Sequence, residues 1–209
     1  LTPLCDSSVD RYRHGRVVMA SRLIALFRVD RAWTEAHLLP LFNWSRLAEA
    51  RALWQGFLWS PRLYRPLLAA FKTDFLETAC HCTELGDHAS QYVTLLTYAA
   101  LDSEGVFAPR ELYDTFNVLP GEGLQASAQA LVRALEGAGE QRESFWTNRI
   151  QPFWQKVWPK SRSRASVVIA GQLARLVVAA GGEFPAALNA VQAWLCPLES
   201  PDYVVRRLH

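Results

Sequence analysis

Val167-Val168-Ile169-Ala170-Gly171-Gln172-Leu173-Ala174-Arg175-Leu176-Val177-Val178-Ala179-Ala180 is the stretch whose reading decides the fold class. Ile169, Leu173, Leu176, Val177 and Ala180 fall at i, i+4, i+7, i+8 and i+11, one apolar stripe along a helix of 3.6-residue period. Gln172 and Arg175 interrupt the run, which falls short of the ~20 apolar residues of a membrane span. Tyr92, Leu95, Leu96 and Ala99 repeat the stripe, as do Phe184, Leu188, Val191 and Leu195. No segment alternates apolar and polar β-branched residues between turn signals, so no strand is expected. The pattern predicts an all-α chain of about ten short helices in stacked antiparallel pairs, either an irregular α-solenoid or an orthogonal helical bundle.

Working outward, helices are expected over 9–28, 31–41, 45–58, 61–82, 88–101, 109–117, 122–136, 141–158, 163–180 and 185–195, with a further one from Pro201. Ser60-Pro61 reads as an N-cap with proline at the first helical position, and Ala108-Pro109 opens a helix with Glu111 in its first turn. Gly86, Gly137 and Gly181 follow periodic runs, as left-handed caps do. Pro66 and Pro152 fall inside helical patterns and should start, break or kink a helix. One α-helical domain over 1–209 is expected, with a subdomain joint near 137–141. The first residue, Leu1, is not a methionine and the chain stops at His209 within a helical pattern, so a fragment of a larger chain is expected.

Half of the 209 residues are hydrophobic, 20% are charged and the formal net charge is +2, which excludes a disordered chain. So small a charge does not demand nucleic acid or a membrane as partner. Cys5, Cys80, Cys82 and Cys196 show no framework spacing, which points to a reduced, cytoplasmic compartment. Cys80-His81-Cys82 with Glu84 and His88 is the tightest group of metal-ligating types, but Cys80 and Cys82 stand ~200° apart on a helix and no second pair follows. No metal is expected. Gly121-Glu122-Gly123-Leu124-Gln125-Ala126 matches G-x-G-x-x-A, yet a helix end precedes it where a dinucleotide site needs a strand. No cofactor follows from it. Nucleophile-elbow, zinc-protease and P-loop patterns are absent, and no catalytic residue is assigned.

No acidic residue occurs from Ser144 to Gly182, where Arg149, Lys156, Lys160, Arg162, Arg164 and Arg175 interleave with Trp146, Trp154 and Trp158. Lys156, Lys160, Arg162 and Arg164 are the candidate interaction surface, with the exposed part of the Trp54–Arg62 corner. The stretch 146–164 also has the ingredients of a nucleic-acid or polyanion surface with stacking platforms, and Ser161 and Ser163 are expected to open a helix whose N-terminus suits an anion. A smaller basic group, Arg11, Arg13, His14 and Arg16, reads as a solvated helix face or as contacts to an upstream portion.

Six of the eight tryptophans cluster in phrases: Trp54-Gln55-Gly56-Phe57-Leu58-Trp59-Ser60-Pro61-Arg62, then Phe145-Trp146 through Pro152-Phe153-Trp154 to Trp158-Pro159, and Ala193-Trp194-Leu195. Trp54, Phe57, Trp59, Trp146, Phe153, Trp154, Trp158 and Trp194 are expected to be structural anchors at helix corners. These phrases resemble the helical C-terminal domain of unknown function of large bacterial sirtuin-like anti-phage defence proteins, most closely in 53–66 and 145–161. The resemblance implies that NAD-consuming chemistry lies in a sirtuin-like part outside this chain, and that this part scaffolds or senses. The expected function is therefore a non-catalytic helical module acting through contacts with the rest of its parent chain or another protein. Nucleic-acid or polyanion binding by 146–164 is the alternative; no membrane partner is expected.

Overall fold

The computed structural model describes residues 1–195. They are helical in nearly every segment and contain no strand, so the chain is all-α. It divides into two compact units: Leu1–Ala99 with Gly105–Phe107, and Ala100–Glu104 with the chain from Ala108 onward. The division falls within 99–108, and the 137–141 segment is internal to the second unit. The helix expected from Pro201 lies outside the described residues.

In the first unit α1 (Arg13–Ser21) and α2 (Leu23–Val29) part at Arg22, and α3 (Arg31–Trp33) continues as a π turn over Thr34–Leu38. The centre is α4 (Leu47–Leu58), which packs on α1 and on the 3-10 turns Leu39–Phe42 and Thr78–His88. α5 (Arg65–Ala70) and α6 (Lys72–Glu77) follow, then α7 (Ala89–Leu101), all but the last two residues of which belong to this unit. The expected helix start at Ser60-Pro61 is not taken; Tyr64 is extended (φ −138°, ψ 97°) and the helix begins at Arg65. Proline is tolerated only in a helix's first turn, so Pro66 dictates a start at Arg65 and leaves 61–64 non-helical.

Gly56 carries the closest approach in this unit. A Cβ there would sit 2.6 Å from the Val17 carbonyl oxygen and 3.3 Å from the Ala20 Cβ, so its missing side chain lets α1 and α4 touch. Gly56→Ala is expected to cost about 1–3 kcal/mol through overpacking, despite alanine's better helix propensity. Urea unfolding of the two proteins measures it; equal midpoints would show that α1 shifts freely.

The second unit holds α8 (Pro109–Val118), α9 (Gly121–Gly137), α10 (Arg142–Phe145), α11 (Gln151–Lys156), α12 (Val167–Ala179) and α13 (Phe184–Val191). Its main packing is α9 against α12, whose stripe Ile169, Leu173, Leu176, Val177 and Ala180 is wholly buried, as the periodicity predicts. The α13 stripe is corrected by one step: Ala187 and Val191 face inward, while Phe184 and Leu188 are exposed. The short helix packs on α12. In both units the closest pairs, α1 with α4 and α9 with α12, are not consecutive helices. A solenoid repeat touches only its neighbours, so each unit is built as a bundle.

Two prolines pass through helical stretches by one device. The π turns Thr34–Leu38 and Trp146–Ile150 each end two residues before a proline, Pro40 and Pro152. The wider turn accommodates the missing N–H and the ring, which would otherwise strike the carbonyl four residues back. Of the glycines expected in left-handed caps, Gly86 and Gly181 have positive φ; the third is Gly139, since Gly137 stays inside α9.

Candidate binding cleft

A cleft of about 470 Å³ opens in the second unit between α11 and α13, within the ~300–1,000 Å³ range of ligand pockets. Its deep side is Trp154, Trp158 and Trp194. Trp154 and Trp158 stack with centroids 4.9 Å apart, and Trp194 meets them edge-on at 6.3 and 5.4 Å. The Trp154 indole donates to the Ala190 carbonyl at 2.8 Å, fastening α11 to α13. The Trp158 Nε1 is a buried donor with no acceptor among the described residues.

One wall is α13 and the 3-10 turn Gln192–Trp194 after it, where Ala186, Ala190 and Ala193 present small side chains beside Asn189. The other wall carries Gln151 and Gln155, one turn apart on α11. Pro159, Lys160 and Arg162 close the end. The Lys160 Nζ donates to the carbonyls of Trp154 at 3.0 Å and Gln155 at 2.9 Å, capping α11 with a positive charge at its negative pole.

The four candidate surface cations are thus not one surface. Lys160 and Arg162 line the cleft, whereas Lys156 is exposed outside its lining. Arg164 turns toward α8 and donates to the Asn117 carbonyl at 2.9 Å, where burial pulls its guanidinium below the ordinary value. The anion site expected at Ser161 and Ser163 is corrected. Those serines share a 2.7 Å hydrogen bond at the 3-10 turn Arg162–Arg164, and α12 starts at Val167 with its N-terminus closed by Ser166, which accepts from the Ile169 N–H.

Of the eight aromatic anchors, Trp54, Phe57, Trp146, Phe153, Trp154, Trp158 and Trp194 are buried. Trp59 is corrected: it is 77% exposed, because α4 ends at Leu58 and no helix follows until Arg65. That exposure agrees with the expectation of an open Trp54–Arg62 corner. Cys80 is exposed and Cys82 buried, across a kink at His81, and no cluster of three metal-ligating side chains occurs among the described residues. Gly123 of the G-x-G-x-x-A match is packed on Leu119, its absent Cβ 3.3 Å from that side chain. No described helix is long and apolar enough to cross a membrane.

The N-terminal basic group hides the largest surprise. Arg16 is fully buried, paired through Nε and Nη2 with the Glu49 carboxylate, while its Nη1 donates to the carbonyls of Leu4, Asp6 and Val9 at 3.3, 2.9 and 3.2 Å. It is a clamp holding the N-terminal segment on α1 and α4; Arg11, Arg13 and His14 are exposed, so of the four only Arg16 departs from a solvated face. Nothing near it in sequence marks Glu49, 33 residues on, as its partner.

Comparison with protein-family models, with curated proteins and with solved structures gives no match. The resemblance carried by the tryptophan phrases therefore stands on those phrases alone.

Proposed function

We propose that this chain is a non-catalytic helical module that works by binding another protein through the α11–α13 cleft. The observation that carries the reading is the lining itself. Among the described residues it contains indoles, alanines, amides and two cations, and no carboxylate, imidazole, thiol or hydroxyl to act as acid, base or nucleophile. Such a surface suits recognition, and its one lysine is engaged as a charged cap on the Trp154 and Gln155 carbonyls. A role beside an enzymatic part, which the sirtuin-type resemblance implies, is compatible with it.

Burial of Trp146, Trp154 and Trp158 favours a protein over a nucleic acid, since base stacking needs ring faces open to solvent. The test is a photoreactive p-benzoylphenylalanine in place of Gln155, a lining residue, in the full-length protein in its host. A discrete protease-sensitive adduct is expected. Nuclease-sensitive adducts alone, or none, would overturn the reading.

A further inference from the structure

The chemistry of the cleft selects its occupant more narrowly. We infer that it seats an extended acidic peptide segment of a partner protein, a carboxylate side chain lying between Lys160 and Arg162. The inference rests on the binding reading above and adds the partner's chemistry to it.

Charge is the first ground. Two of the three Lys160 donors are occupied by the Trp154 and Gln155 carbonyls, so the ammonium is held in place with one N–H left to give. A head group already ordered loses little further entropy on binding. Arg162 is exposed and makes no ion pair among the described residues, and no carboxylate lines the cleft. The negative pole of α11 beside Lys160 tempers the field, which suits a single carboxylate better than a doubly charged phosphate.

The amides are the second ground. Gln151 and Gln155 each offer both a donor and an acceptor, as a peptide group does, and Asn189, whose Oδ1 already accepts from Gln192, adds a donor; a phosphodiester offers acceptors only and would leave the glutamine oxygens unanswered. Gln151 and Gln155 are four residues apart, a rise of ~6 Å on a helix, which equals about two residues of an extended strand at ~3.3 Å each. The two amides therefore meet alternate peptide groups. On the facing wall, Ala186, Ala190 and Ala193 let a backbone come close.

The test uses the intact protein and two fluorescein-labelled hexapeptide mixtures, amidated and otherwise randomised, with glutamate or glutamine fixed at the third position. Anisotropy is expected to show the glutamate mixture bound at least tenfold more tightly, with indole N–H resonances of Trp154, Trp158 and Trp194 moving and that of Trp54 still. Arg162→Gln should abolish the preference with the helical circular dichroism unchanged; Lys160→Met should weaken binding as well. Equal affinity for the two mixtures, no indole shift, or tighter binding of an oligothymidylate at the same indoles would overturn the inference. A protein adduct at Gln155 without glutamate preference would sink this inference alone, whereas absence of the adduct sinks the binding reading beneath it.

Discussion

Arg16→Met is expected to lower the unfolding free energy by about 3–5 kcal/mol, the range for removing one partner of a buried ion pair. The loss is large because Glu49 keeps its charge in a buried site with only the half-exposed Arg13 left to face it, at 3.3 Å. Three carbonyls of the N-terminal segment also lose their donor. Burial pushes the Glu49 carboxyl up, but hydrogen bonds and charge from Arg16, then from Arg13, outweigh it, so its pKa in the folded protein is below the ordinary value. A depressed carboxyl pKa means stability that is complete above the unfolded value, ~4.3, and lost as pH falls through the folded one. Urea unfolding at pH 7 measures the first effect. Repeating it down to pH 3 tests the second: the gap between wild type and Glu49→Gln should narrow with acidification. A loss under about 1 kcal/mol with parallel acid limbs would show that the pair makes no net contribution.

Trp54→Ala should cost about 3–5 kcal/mol, as large aromatic truncations in packed cores do. The Trp54 ring is fully buried, stacks on Phe71 at 5.3 Å and meets Phe42 edge-on at 5.0 Å. Its Nε1 donates to the Phe42 carbonyl at 3.0 Å, so truncation also orphans that acceptor. Trp59→Ala, five residues on, should change stability by under about 0.5 kcal/mol, because the ring lies mostly in solvent. Denaturant midpoints of the two variants decide it; similar losses would mean that the exposed indole packs in solution.

The contrast between those two tryptophans marks the reach of local sequence. Seven of the eight aromatic anchors read from the tryptophan phrases are buried, but Trp59 is not, because Pro66 delays the next helix and leaves the ring mostly in solvent beside His88. Lys160 and Arg162 were legible as part of a basic, acid-free stretch. Their separation from Arg164 was not, since it depends on Asn117, 47 residues earlier. Gln151, Gln155 and Asn189 carried no signal, since exposed amides on helices are ordinary.

By itself the sequence determined that the protein is all-α and where most helices lie, because helical periodicity, prolines and caps act within a few residues. Only the tertiary structure decided which helices pair, that α1 meets α4 across a glycine and α9 meets α12, that Arg16 is a buried clamp, and that α11 and α13 frame a cleft. Each of those facts joins residues tens of positions apart. Spacing along one helix says which face is buried, and only three-dimensional packing says against what.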